Sequence, residues 1–141
     1  LIILLIIMAT IDFYKNLDYE FSIYEGEEEL NGLTNGGFIG VNPLKISDFN
    51  KLELNAARDV IACYLVPISS INKTHSSYEL KHLIERILAV ETNQQINYVS
   101  NGALILAMYD AGFQICRISN SPNCFFNVSE RSVKRLDTKH L

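Results

Sequence analysis

The segment YVSNGALILAMYDAGF, residues 98–113, constrains the fold most, because it carries the start, body and stop of one helix. Ser100 stands where an N-cap hydroxyl accepts from a free backbone N–H of the first turn. Val99 before it and Leu104 in the next turn have the spacing of a hydrophobic staple. Leu104, Ala107, Met108 and Ala111 line one side, and Gly112 fits the left-handed residue that closes a helix. Asp110 is the only charge, so this helix is expected to pack rather than to contact phosphates.

Two more helices precede it. In SDFNKLELNAARDVIACYLVP, Phe49, Leu52, Ala56, Val60 and Tyr64 recur at helical steps. The spacing predicts a helix over about 49–66, capped by Ser47 or Asp48 and stopped by Pro67. Ser76 lies three residues before Glu79, the arrangement of a capping box, and opens the next helix. Leu80, Leu83, Ile84, Ile87 and Leu88 make its apolar stripe, which leaves Lys81, Glu85 and Arg86 for a solvated face.

After the third helix, FQICRI (113–118) and CFFNV (124–128) flank the turn-forming SNSPN and predict a hairpin. A short helix then starts at Ser129, with Val128 and Val133 repeating the staple spacing. From Thr10 to Lys45 the chain is irregular and β-leaning, with FSIYE (21–25) and GFIGV (37–41) as strand candidates. The glycines of NGLTNGGFIGVNPLK do not make a phosphate loop, because Lys45 follows a strand-like segment and Pro43 disfavours a helix there. A hairpin is the expected form. The fold class is therefore α+β in one domain, 1–141: a β-leaning N-terminal part, then a three-helix C-terminal part followed by a β-hairpin and a short terminal helix.

A chain of 141 residues with 48% hydrophobic content buries roughly 70% of its unfolded surface as one domain, so its core needs neither disulfides nor metal. The cysteines, Cys63, Cys116 and Cys124, form no CxxC pair, and their odd number suits a reducing, cytoplasmic compartment. All three are expected as small core hydrophobes. Asn72-Lys73-Thr74 and Asn127-Val128-Ser129 match the glycosylation pattern, which matters only in a secreted chain. The opening LIILLIIMA has no basic flank and falls short of the ~18 apolar residues of a membrane span. It reads as a buried strand, or as residues 1–7 upstream of a true start at Met8.

Chemistry has few footholds. His75 and His82 lack further metal ligands at short spacing. Cys116 or Cys124 could pair with a histidine only through the fold. Glu27, Glu28 and Glu29 are consecutive and read as a solvated loop rather than as an acid/base pair. No catalytic residue, metal or cofactor is expected.

Charge is uneven: residues 1–60 carry four Lys/Arg and ten Asp/Glu, and residues 61–141 carry eight and six, within a net charge of −4. Contact with a polyanion would have to be local. The segment NVSERSVKRL, residues 127–136, resembles the recognition helix of helix-turn-helix proteins from Val128 to Arg135, although the preceding CFFNV reads as a strand. That resemblance implies DNA or RNA binding through Arg131, Lys134 and Arg135, with Arg117 joining them if all four converge on one face. A winged helix read by residues 104–111 is a poorer fit, for want of cations. SSYELKH, YVSNGALILAMYDAGF and SPNCFFNVSERSVK together resemble small uncharacterised proteins of bacterial phages and mobile elements. The resemblance implies a cytoplasmic accessory protein with no site residues to transfer. The leading expectation is a non-enzymatic accessory or interaction protein with a protein partner and no membrane, and the rival is a nucleic-acid-binding regulator.

Overall fold

The computed structural model describes residues 12–17 and 20–139. A helical turn at 12–16 (α1) is followed by a short hairpin, β1 (Leu33–Thr34) and β2 (Gly37–Phe38). Then come α2 (Lys51–Tyr64), β3 (Pro67–Asn72), α3 (Ser77–Glu91), α4 (Asn101–Asp110), β4 (Ile115–Arg117), β5 (Cys124–Val128) and α5 (Glu130–Lys139). The chain is α+β, with two small antiparallel sheets, β1-β2 and β3-β5-β4.

The YVSNGALILAMYDAGF segment forms the central helix. Ser100 Oγ accepts from the Ala103 N–H at 3.0 Å, and Gly112 closes the helix at φ +95°. The helix is buried all round rather than on one side: α2, α3 and β2 pack against α4, and residues 101–108 are all buried. A helix apolar on every face needs such enclosure. Burying each of Leu104, Ile105 and Leu106 contributes roughly 1.5–3 kcal/mol before entropy is counted.

The other boundaries follow local capping. Asn50, rather than Ser47 or Asp48, caps α2 by accepting from the Glu53 N–H at 3.0 Å; Ser47 and Asp48 lie in a 3-10 turn just before it. The helix ends at Tyr64, and Pro67 opens β3. PISSIN carries little strand signal of its own, with four of its six residues exposed. It pairs with β5, so the expected hairpin is two strands of a three-stranded sheet. Pro67 is tolerated because it is the first residue of an edge strand, where no ladder N–H is demanded of it. Ser76 caps α3, accepting from the Glu79 N–H at 3.3 Å. Ser129 Oγ does the same for α5, accepting from the Ser132 N–H at 3.2 Å.

FSIYE is not a strand: the Ser22 N–H and hydroxyl are both taken by Asp110 Oδ1, at 2.7 and 3.1 Å, instead of by a ladder. Asp110 in turn is held by Arg58 at 2.9 Å. In GFIGV only Gly37 and Phe38 pair, opposite Thr34 and Leu33 across the Asn35-Gly36 turn. Of the cysteines only Cys124 is a core residue; Cys63 is exposed and Cys116 half-buried. Burial pushes the Cys124 thiol up to about 12. Neither sequon offers a free amide: Asn72 Nδ2 donates to Val128 O, and Asn127 Nδ2 donates to Ile68 O. The expectations for residues 1–7 lie outside the described residues. Among those described, no helix is long and apolar enough to cross a membrane.

Candidate functional site

The head of α4 is where the elements meet. Glu53 of α2 accepts from the Ser100 N–H at 2.7 Å, and Glu85 of α3 accepts from the Val99 N–H at 3.1 Å. Both carboxylates lie at the helix end that favours negative charge. The hairpin turn completes the cap: Asn35 O accepts from the Gly102 N–H at 2.9 Å, and Asn35 Oδ1 accepts from Ser100 Oγ at 3.1 Å. A Cβ on Gly102 would stand 1.8 Å from Thr34 O, so glycine alone lets the turn come this close.

Beside this knot lies an open cavity of about 420 Å³, bounded by Gly36, Tyr78, Lys81, Tyr98, Asn101 and Asn123. Asn101 Nδ2 donates to Asn123 Oδ1 at 2.9 Å and to Gly36 O at 3.3 Å. Ser77 Oγ steadies Asn123 from below, donating to its Oδ1 at 3.4 Å while accepting from the Cys124 N–H at 3.2 Å. Asn101 Oδ1 is buried and has no hydrogen-bond partner. Turning the amide over would set that oxygen against the Gly36 carbonyl, so the observed orientation is the better one. An orphaned acceptor of this kind costs about 1–3 kcal/mol.

Lys81 does not lie on a solvated face. It is 6% exposed, and its ammonium bonds Glu85 at 2.7 Å. It lies 4.6 Å from the centroid of the Tyr98 ring and 5.8 Å from that of Tyr78. Tyr98 follows α3 in the chain and returns over it, so a position off the apolar stripe is covered and the lysine stem packs. Glu85 also meets His82 Nδ1 at 2.9 Å, and the His82 ring stands edge-on to Tyr78 at 4.4 Å. Tyr78 and Tyr98 are 50% and 56% exposed, which leaves two large amphipathic rings beside a fixed ion pair.

The basic residues are only partly brought together. Arg131, Lys134 and Arg135 are exposed at i, i+3 and i+4 on α5, one face, opposite the buried Ser132, Val133 and Leu136. Arg117 is elsewhere. Its guanidinium lies 4.0 Å from the Phe38 ring centroid and donates to Asn31 O at 3.2 Å. Arg117 pairs with Cys124, the end of β5 remote from α5, ~13 Å away along the strand. The element before α5 is β5, and α4 ends at Asp110, so no helix stands a short turn upstream of α5. The burial of α4 leaves it no face for a groove.

His75, His82 and several of the carboxylates have structural partners. His75 is clasped by Glu79 at 3.3 Å and Glu130 at 2.9 Å, through different ring nitrogens, and His82 is exposed. Among the described residues no group of His, Cys, Asp and Glu could hold a metal ion. The acidic run is divided: Glu25 accepts from the Ile46 N–H at 3.0 Å, Glu27 accepts from the Tyr109 hydroxyl at 3.0 Å, and Glu28 and Glu29 face solvent. Burial, and then the bond to Glu27, push the Tyr109 hydroxyl up to about 12.

Sequence reasoning missed the cavity residues. Tyr78, Lys81 and Glu85 at i, i+3 and i+7 were the available signal, one turn-spaced row on α3 that mixes aromatic and charge. Comparison with protein-family models, curated proteins and solved structures finds no match for this chain.

Proposed function

We propose that this chain is a non-enzymatic accessory or interaction protein that holds a protein partner at the head of α4. The observation that carries this reading is the pair of half-exposed tyrosines flanking a fixed Lys81–Glu85 pair, beside the unpartnered acceptor of Asn101. Tyrosines offer large, stiff contact area at low entropic cost and are enriched where proteins meet. Three cysteines, an odd number with no CxxC pair, suit a reducing, cytoplasmic setting.

The test is affinity capture from extracts of the organism that encodes the chain, comparing the parent with a Tyr78→Ala/Tyr98→Ala variant of unchanged circular dichroism. A partner held by the parent is expected to be depleted about tenfold or more on the variant, as at interface hot spots. Identical partner sets on both would overturn the proposal.

A second reading, nucleic-acid binding, is favoured by the common face of Arg131, Lys134 and Arg135. Titrating labelled duplex and single strands at several salt concentrations tests it. Binding that weakens with salt and is lost in an Arg131/Lys134/Arg135→Glu variant supports that reading, and binding indifferent to either change rejects it.

A further inference from the structure

We infer that Asn35-Gly36, the turn between β1 and β2, is a site of spontaneous covalent modification that loosens the head of α4. The Gly36 main-chain nitrogen, having given its proton to solvent base, bonds to Asn35 Cγ; the Cγ–Nδ2 bond breaks and ammonia leaves. Water then opens the succinimide, at Cγ to give aspartate or at the main-chain carbonyl to give isoaspartate. The inference stands apart from the interaction reading, since it concerns the covalent structure of the chain itself.

The chain has three Asn-Gly pairs, Asn31-Gly32, Asn35-Gly36 and Asn101-Gly102. Each lacks the Cβ that would shield the attacking nitrogen, and the fold separates them. Gly32 is buried, its N–H donating to Asn42 O at 2.8 Å and its carbonyl accepting from the Gly40 N–H at 2.8 Å. Gly102 is buried in the first turn of α4 with its N–H on Asn35 O at 2.9 Å, and Asn101 is 6% exposed. Asn35 and Gly36 are both exposed, and the Gly36 N–H meets the Thr34 hydroxyl at 3.2 Å. Base reaches a nitrogen on a solvated turn without first breaking a buried main-chain bond. The amide under attack is already polarised: Ser100 Oγ donates to Asn35 Oδ1 at 3.1 Å, the oxygen on which negative charge develops as the new C–N bond forms. What must let go is Asn35 Nδ2 from Asp48 O, at 3.0 Å, an exposed bond that water replaces.

Both products disturb the knot. Aspartate sets a carboxylate oxygen against Asp48 O, where a donor stood, and adds charge beside Ser100, whose N–H Glu53 already holds at 2.7 Å. Isoaspartate lengthens the main chain by a carbon and turns the carbonyl that accepts from the Gly102 N–H into a free carboxylate. The turn has no slack to absorb this, because an added Cβ at Gly102 would already overlap Thr34 O. Gly36 O, which accepts from Asn101 Nδ2 at 3.3 Å, shifts with the turn.

The experiment ages the full chain in mildly alkaline buffer made with heavy-oxygen water, which marks each newly opened carboxyl, and maps the label by digestion and mass spectrometry. A second sample ages in urea. In the folded chain, label is expected at residue 35 about tenfold faster than at 31 or 101, since each buried pair must first break a main-chain bond, and in urea that preference should vanish. Gly36→Ala, whose Cβ meets the tip of the Ile39 side chain at 2.9 Å, should lose the label at 35. The aged parent, separated by ion exchange, should unfold at lower urea than fresh protein, whereas aged Asn35→Gln, whose longer side chain closes the ring far more slowly, should not. Label at 31 or 101 as fast as at 35 in the folded chain, label at 35 in urea alone, the same preference in urea, or undiminished label at 35 in Gly36→Ala would overturn the site. An aged parent as stable as the fresh one would overturn its effect on α4.

Discussion

At Gly102 a missing side chain decides how two parts of the chain meet. A Cβ there would lie 1.8 Å from Thr34 O, 2.7 Å from Thr34 C and 3.0 Å from Asn35 Cα, all backbone atoms that cannot swing aside. Alanine is the better helix former by about 1 kcal/mol, yet here that gain is opposed by displacement of the whole turn. Gly102→Ala is therefore expected to destabilise by about 3 kcal/mol, at the upper end of overpacking effects, read as a fall in the urea midpoint. A midpoint at or above that of the parent would show that the turn does not press on α4. Ser100 and Gly112 were legible in the sequence because each acts on its own helix end, through the Ala103 N–H and a φ of +95°. Gly102 and Asn101 were not, because their partners Thr34, Gly36 and Asn123 are brought up only by folding.

Among the elements, the same division separates helices from strands. α3, α4 and α5 begin at the serines expected, each hydroxyl accepting from an N–H three residues on. β3 escaped because four of its six residues are exposed and their alternation is weak, so pairing with β5 rather than local pattern makes it a strand. The α3 stripe is legible in the sequence, and Leu80, Leu83, Ile84, Ile87 and Leu88 are buried. Its polar side was not, since Lys81 is covered by Tyr98 from the following loop. A hydrophobic stripe tells which face enters the core, while a second covered face is visible only where a later segment crosses it. That is why the candidate site, built on α3's second face, was the least legible part of the molecule, and why the cations of α5, already on a surface helix, were read at once.

Across the whole molecule, α5 is tied back to the N-terminal half through β3. The Ser129 N–H donates to Val66 O at 2.8 Å, Ser132 Oγ accepts from the Val66 N–H at 3.2 Å, and Asn72 Nδ2 reaches both Val128 O and Glu130 Oε1. Glu130 is the titratable member, bonded to Asn72 and to His75, and these bonds hold its carboxyl below the usual glutamate range. A carboxyl depressed in the folded state adds stability above its unfolded pKa, about 4.3, and the contribution is lost as pH falls through the folded value. The Glu130 side chain is 36% exposed, so solvent screens the effect, and about 1 kcal/mol is a ceiling. Urea unfolding of the parent and of Glu130→Gln should therefore differ above the unfolded value of about 4.3, with the parent more stable, and the gap should close as pH falls below it and Glu130 takes its proton. A gap of constant size from neutral pH to about pH 3 would mean that Glu130 holds α5 by packing alone, with no share for its charge.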